Sequence, residues 1–266
     1  MEKFFSSGGK RIRYCDSGKG KTIVLLHGYL ETSAIWDDFA DRLSDSFRII
    51  APDIPGHGGS GMFSDVHSME LIATLIKELV VDAGTGKFFF AGHSLGGYVA
   101  LAFAEMYPEL LSGYCLFHSH PLADSPEALS KRKREIDIVM KGKKDIMYPD
   151  NVSRMFAASN LEKFSRQLER SKEIASSLSS EGIIAVLKGM MERPSRVEIM
   201  EKGEVPCLWV LGAMDNYIDP DIIRGKVKLP HNAEVQILSN SGHMGFIEEK
   251  EHSAEILKSF AGRLEW

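Results

Sequence analysis

A chain of 266 residues with 44% hydrophobic side chains and a net charge of −5 carries enough apolar material for one large core. The acidic balance argues against a nucleic-acid binder working through a basic surface. No run approaches the ~18 to 20 apolar residues of a membrane span, and the N-terminal stretch lacks the sustained apolar segment of a signal peptide.

The chain opens with Phe4-Phe5 and Arg11 to Cys15 flanking Gly8-Gly9, the pattern of a hairpin. Thr22 to Leu26 (TIVLL) is an apolar run of strand length ending at His27-Gly28-Tyr29. A helix is predicted over Ser33 to Leu43, with Thr32 or Ser33 as cap and Trp36, Phe39 and Leu43 on one face. A strand at Phe47 to Ala51 leads into a glycine-proline loop, Pro52 to Ser60. His67 to Val81 reads as an amphipathic helix capped by Ser68. Phe88 to Ala91 is a further buried strand, and Gly113 to Phe117 another. The pattern resumes far downstream with strands at Val205 to Leu211 and Ala233 to Leu238 and a closing helix from Glu248 to Leu264. Short apolar strands alternating with amphipathic helices imply an α/β protein with a mostly parallel, doubly wound sheet flanked by helices.

That alternation stops between His118 and about Arg193. The segment is polar, charged and helical (Pro126 to Lys141, Asn151 to Phe156, Leu161 to Ser179, Glu181 to Met191). We therefore divide the chain into a core of residues 1–118 and 194–266 and a helical lid at 119–193. The basic run Lys131-Arg132-Lys133-Arg134, followed by Glu135 and Asp137, reads as a solvated helix face, the rival reading being a phosphate or polyanion site. The three cysteines (Cys15, Cys115, Cys207) are far apart, lack a C-x-x-C pair and read as inert thiols of a reduced, cytoplasmic protein.

One stretch carries the chemistry. In Lys87 to Ala104 a strand breaks at Gly92-His93-Ser94-Leu95-Gly96 and continues as a helix, a G-x-S-x-G turn that aims a serine off the end of a sheet. Gly92 and Gly96 supply positions without a Cβ where the turn is crowded, and the helix N-terminus favours developing negative charge. Serine needs a base to take its proton, and the base needs a third group to orient it. Two later strand ends offer these: Gly212-Ala213-Met214-Asp215 and Ser241-Gly242-His243, in the chain order Ser94, Asp215, His243. Asp219 and Asp221, assigned to the next helix, and Asp124, after the preceding strand, compete for the acid's role.

With the HG loop (His27 to Tyr29), the loop from Asp53 to Ser60, the elbow, the acid and the S-G-H, the chain resembles the α/β-hydrolase superfamily over essentially its whole length. Its lid and Met190 to Arg196 resemble the small serine esterase and enol-lactone hydrolase branch. The resemblance implies Ser94 as nucleophile, His243 as general base and acid, and Asp215 as its orienting acid. It implies the backbone N–H groups of Tyr29 and Leu95 as the oxyanion hole. A serine at position 94 argues against the aspartate-nucleophile epoxide hydrolases and haloalkane dehalogenases. Pocket candidates are Leu30, His118, His120, Met155, Phe156 and Met190. His27, Asp53 and His57 are expected to hold loops. Neither metal nor cofactor is implied, and the partner is a small-molecule acyl substrate. The expected activity is hydrolysis of small esters or lactones. The alternatives are C–C or enol-lactone cleavage in a catabolic pathway, or a triad-bearing signalling protein with slow turnover.

Overall fold

Gly8 and Gly9, both at positive φ, turn the chain between strands β1 (Glu2–Ser7) and β2 (Lys10–Ser17), as the sequence predicts. The computed structural model describes residues 1–266. Six further strands follow: β3 (Thr22–Leu26), β4 (Arg48–Pro52), β5 (Phe88–His93), β6 (Leu111–Phe117), β7 (Cys207–Gly212) and β8 (Ala233–Leu238). They form one eight-stranded sheet in the order β1-β2-β4-β3-β5-β6-β7-β8. Pairings β1–β2 and β2–β4 are antiparallel and the remainder parallel. Every residue of β3, β5, β6 and β7 is buried, which is why these segments read as continuous apolar runs: helices cover both faces. β8 is the half-exposed edge.

A 3-10 turn at Ser33–Trp36, capped by the Thr32 hydroxyl, precedes α1 (Asp37–Ser44). The Ser68 hydroxyl accepts from the Leu71 N–H to cap α2 (Met69–Asp82), and α3 (Leu95–Met106) follows β5 directly. Between β6 and β7 lie α4 (Pro126–Met140), α5 (Lys144–Ser153), α6 (Ser165–Ser177), α7 (Ser180–Glu192) and α8 (Val197–Lys202). There α4 packs on α7, and α5 on α6. Then come α9 (Pro220–Arg224), α10 (Gly245–Glu248) and α11 (Lys250–Gly262). No helix is long and apolar enough to cross a membrane.

Two predicted helices differ from expectation and a third helix, α8, was not predicted. The helix expected at Asn151 to Phe156 is α5, which starts at Lys144 and runs through Pro149. Proline there removes one helical bond, but the carbonyl it abandons belongs to exposed Asp145, where water can serve. α8 was hidden in a stretch without a capping side chain and ends on Gly203 in the left-handed region (φ 65°). The closing helix is broken into α10 and α11 at Glu249.

The chain passes from β3 to β4 on one side, then returns to β5 on the other. The loops after β3 and β5 therefore diverge at their carboxyl ends, the crevice where open α/β sheets bind ligands.

Candidate active site

Ser94 is the residue between β5 and α3, at φ 49° and ψ −111°. Such a backbone costs roughly 1–3 kcal/mol, so its surroundings must hold it. A Cβ on Gly92 would lie 2.1 Å from the Gly96 carbonyl oxygen, and one on Gly96 2.3 Å from that of Leu26, so neither position tolerates a side chain. The Ser94 N–H donates to the Phe117 carbonyl at 2.9 Å. The Ser94 carbonyl accepts from the Ser119 hydroxyl at 2.7 Å, and the Ser119 carbonyl from the Trp209 indole at 2.8 Å. The ends of β6 and β7 thus clamp the turn. Leu30 (φ 63°) and His118 (φ 47°) are the other two non-glycine residues at positive φ, and both belong to loops at this end of the sheet.

Asp215 follows β7, and His243 follows β8. The His243 Nδ1–H donates to Asp215 Oδ2 at 2.7 Å. The backbone N–H groups of Tyr217 and Ile218 donate to Asp215 Oδ1 at 2.8 and 3.2 Å. Burial alone would raise the Asp215 carboxyl, but the charge and hydrogen bond of His243, with His118 close by, outweigh it and hold the group well below the ordinary carboxylate range. Conversely, burial opposes charging of His243 while Asp215 favours it, and the net effect lifts the imidazole above its usual value. With Nδ1 committed to Asp215, Nε2 is the nitrogen free to take a proton. Ser94 and His243 line the same cavity, and the Ser94 hydroxyl makes no hydrogen bond within the chain. Contacts of this kind are often long before substrate binds and tighten in the reacting complex.

The loop after β3 is tied to both sides of this arrangement. Glu31, buried, accepts from the Gly28 N–H at 2.6 Å and from His93 Nδ1 at 3.0 Å, while His93 Nε2 donates to the His243 carbonyl at 2.8 Å. His93 thus bridges the loop after β3 to the backbone of His243 through both of its ring nitrogens. Burial would raise Glu31, but His93 and the Gly28 N–H outweigh it and keep the carboxyl below its ordinary value. Glu248 does similar work on the cap side. It accepts from the Gly242 N–H and the Ala157 N–H, both at 2.8 Å, and the His243 N–H donates to the Met155 carbonyl at 2.7 Å. The Tyr29 N–H makes no hydrogen bond within the chain, and Leu95 is the first residue of α3, where helical N–H groups lack an internal acceptor.

The cavity in front of Ser94 measures about 280 Å³. Of the predicted pocket residues, Leu30, His120, Met155 and Met190 line it. Two do not. Phe156 is 1% exposed, belongs to the buried hydrophobic core and is absent from the wall. His118 also faces away from the cavity: its Nε2 accepts from the Gly245 N–H at 3.1 Å and its Nδ1 faces Asp215 Oδ2 at 3.6 Å, so it backs the acid. Burial lowers His118 to about 4, which keeps it neutral. Asp124 lines the cavity but is paired with Arg132 and Arg193, not with His243. Asp219 caps α9. His27 and Asp53 hold loops: His27 accepts from the Ile54 N–H, and Asp53 from the Ser33 and Gly59 N–H groups. The donor atoms of His118, Asp215 and His243 lie within 4.8 Å of one another, a spacing a metal could use. Within the group, His243 Nδ1 is bonded to Asp215 and His118 Nε2 to the Gly245 N–H, while His118 Nδ1 has no hydrogen-bond partner. A larger hollow of about 400 Å³ beside Phe39, Phe164 and Phe246 contains none of these groups.

Sequence reasoning missed Glu31 and Glu248 as organisers of the site, whereas His93, beside the nucleophile, reads as structural from the sequence. The only signal for the two acids was a carboxylate close to a site residue, Glu31 in the loop after β3 and Glu248 in α10 just after His243.

The alpha/beta hydrolase fold family matches residues 21–250. An esterase from Thermogutta terrifontis is 26% identical, with a TM-score of 0.91 over 98% of this chain and 97% of its own. An enol-lactonase from Burkholderia xenovorans LB400, at 19% identity, shares the fold with a TM-score of 0.90 over 98% of this chain and 100% of its own. The first curated relatives include an uncharacterized protein of Mycobacterium tuberculosis, 33% identical over 109 residues, 41% of this chain and 32% of that protein; the chain thus spans about a third of its length.

Proposed function

We infer, because the chain belongs to the alpha/beta hydrolase fold family, that it is a serine hydrolase cleaving small carboxylic esters or lactones through an acyl-enzyme. The observation that carries this reading is the 2.7 Å bond from His243 Nδ1 to Asp215, which leaves Nε2 as the base in a cavity shared with the strained Ser94. In this mechanism Ser94 Oγ attacks the carbonyl carbon as His243 Nε2 takes its proton. Asp215 keeps the imidazole in the required tautomer and stabilises its cationic form. The oxyanion is received by the N–H groups of Leu95 and Tyr29, each worth ~3 kcal/mol in the transition state. His243 then protonates the leaving oxygen, and water, activated by the same imidazole, releases the acid. The helices of residues 119–193 act as the lid. They supply Met155 and Met190 to the wall, and a cavity near the lower end of the usual ~300–1,000 Å³ suits short acyl groups.

The test is an ester series graded by acyl length, with fluorophosphonate labelling mapped by peptide mass. Short esters should turn over and the label should fall on Ser94. Ser94→Ala and His243→Ala should each lose about 10⁴-fold or more in kcat. Retention of more than a tenth of the activity in either variant, or labelling of another residue, would end the assignment.

A further inference from the structure

The basic run on α4 does not lie wholly in solvent. Ala128, Lys131, Arg132 and Glu135 all line the Ser94 cavity, the i, i+3, i+4, i+7 stripe of one helix face, whereas Lys133 and Arg134 are exposed on the other. Behind that stripe the charges do not balance. Asp124 accepts Arg132 Nε at 2.6 Å and Arg193 Nη1 at 2.7 Å, so two guanidinium groups share one carboxylate. The Arg193 side chain is 2% exposed and stacks on Tyr98, which lines the cavity, with 3.8 Å between guanidinium carbon and ring centre. Its Nε and Nη2 have no hydrogen-bond partner. Lys131 makes no ion pair and stands at the rim, 5.6 Å from the centre of the Tyr217 ring.

The remaining groups facing this stripe do not cancel the surplus. His120 accepts the Leu122 N–H at Nδ1 and meets the Tyr98 hydroxyl at Nε2; burial and Arg193 lower it to about 3, so it is neutral. Glu135 accepts from the Tyr29 hydroxyl at 2.8 Å, and burial raises its carboxyl, making it the first acid here to lose its charge. Lys131, Arg132 and Arg193 against Asp124 and Glu135 leave this wall one formal positive charge in excess, and it stands at the exposed rim on Lys131, where an anion can meet it.

We propose that the cavity selects substrates bearing a single carboxylate on the acyl side, remote from the scissile bond and received between Lys131 and Arg132. A monoanion matches the surplus; a phosphate dianion would exceed it. This rests on the hydrolase reading above and narrows its substrate class to ω-carboxylated esters or lactones. Lys131, being exposed, adds a component that salt screens, while Arg132, partly buried, adds one that salt screens less.

The experiment compares monomethyl glutarate with methyl 5-methylhexanoate, in which an isopropyl group replaces the carboxylate. In the native protein at low ionic strength the kcat/KM ratio should favour the glutarate at least tenfold. Lys131→Met should lower that ratio about tenfold, Lys131→Glu further, and 0.5 M NaCl should lower it in the native protein. Calorimetry with Ser94→Ala reads binding of the same two esters without turnover, and the glutarate should again bind at least tenfold more tightly. A ratio at or below one in both measurements, or one indifferent to Lys131→Glu, overturns the proposal. Preferential binding without turnover would sustain the anion subsite and bring down the hydrolase reading instead.

Discussion

Replacing Asp215 with asparagine tests the site at its most determined point. Asparagine keeps the shape but must choose which side receives its amide nitrogen. Asp215 Oδ1 accepts two backbone N–H groups, from Tyr217 and Ile218 at 2.8 and 3.2 Å. An NH₂ there would oppose two donors, so the carbonyl oxygen takes that side and the NH₂ faces His243. His243 Nδ1, which donates at 2.7 Å in the native protein, then has to accept. Its proton moves to Nε2, the nitrogen that should act as base, and the imidazole is held in the wrong tautomer. The corresponding change in other triads costs about 10⁴ in kcat, equivalent to ~5.5 kcal/mol of transition-state stabilisation. The fold should survive, because both backbone bonds remain. The assay is kcat for a short ester at pH 7.5, with urea unfolding as control and Asp124→Asn alongside. Asp215→Asn should fall about 10⁴-fold, while Asp124→Asn should alter selectivity between charged and neutral esters. Asp215→Asn within tenfold of the native enzyme, with unfolding unchanged, would refute the assignment of the acid and the tautomer argument together.

Glu31→Gln should break the run of bonds from the Gly28 N–H through Glu31 and His93 to the His243 carbonyl. Either the Gly28 N–H or the His243 carbonyl then loses its partner, costing roughly 1–3 kcal/mol in urea unfolding and slowing fluorophosphonate labelling of Ser94. Native stability together with native labelling would show that the pair organises nothing. Stability should also depend on pH. Burial holds His57, His67, His118 and His120 down at about 3, 4, 4 and 3, against 6.5 for an ordinary histidine. Each takes up a proton on unfolding between those values, so stability falls as pH drops between roughly pH 6 and 4, by about 1.4 kcal/mol per pH unit per histidine and at most about 5.5 kcal/mol per pH unit for the four. His243 works on the other side: raised by Asp215, it contributes stability that is full below 6.5 and lost as pH rises through its folded value. Urea midpoints should therefore drop steeply from pH 6 to 5, and a flat profile there would contradict buried neutral histidines.

How much of this was legible in the sequence depends on the range of the interaction. The strands TIVLL and AEVQIL appear in the structure with the predicted ends, Thr22–Leu26 and Ala233–Leu238, because the turns that bound them are local. That Ser94, Asp215 and His243 each follow a strand was readable for the same reason, and the tight turn at Ser94 forces glycine at 92 and 96. Glu31 and His93 stand 62 positions apart, and His93 and His243 150, so their contact leaves no periodic trace. His118 was misread as pocket lining because a strand end alone does not say which way a side chain leaves; its positive φ turns the ring behind Asp215. The basic run was misread for a different reason. Four consecutive charges look like one solvated face only when read as a string. Wound at 3.6 residues per turn they divide, and Ala128 and Glu135 flank Lys131 and Arg132 at the spacing that turns those two toward the cavity. The pairing of Asp124 with Arg193, 69 positions later, then decides whether the cavity side carries a charge surplus. A motif of catalysis can therefore be read along the chain, whereas the proposed selectivity rests on charges that meet only where Asp124, just before α4, pairs with Arg193, just after α7.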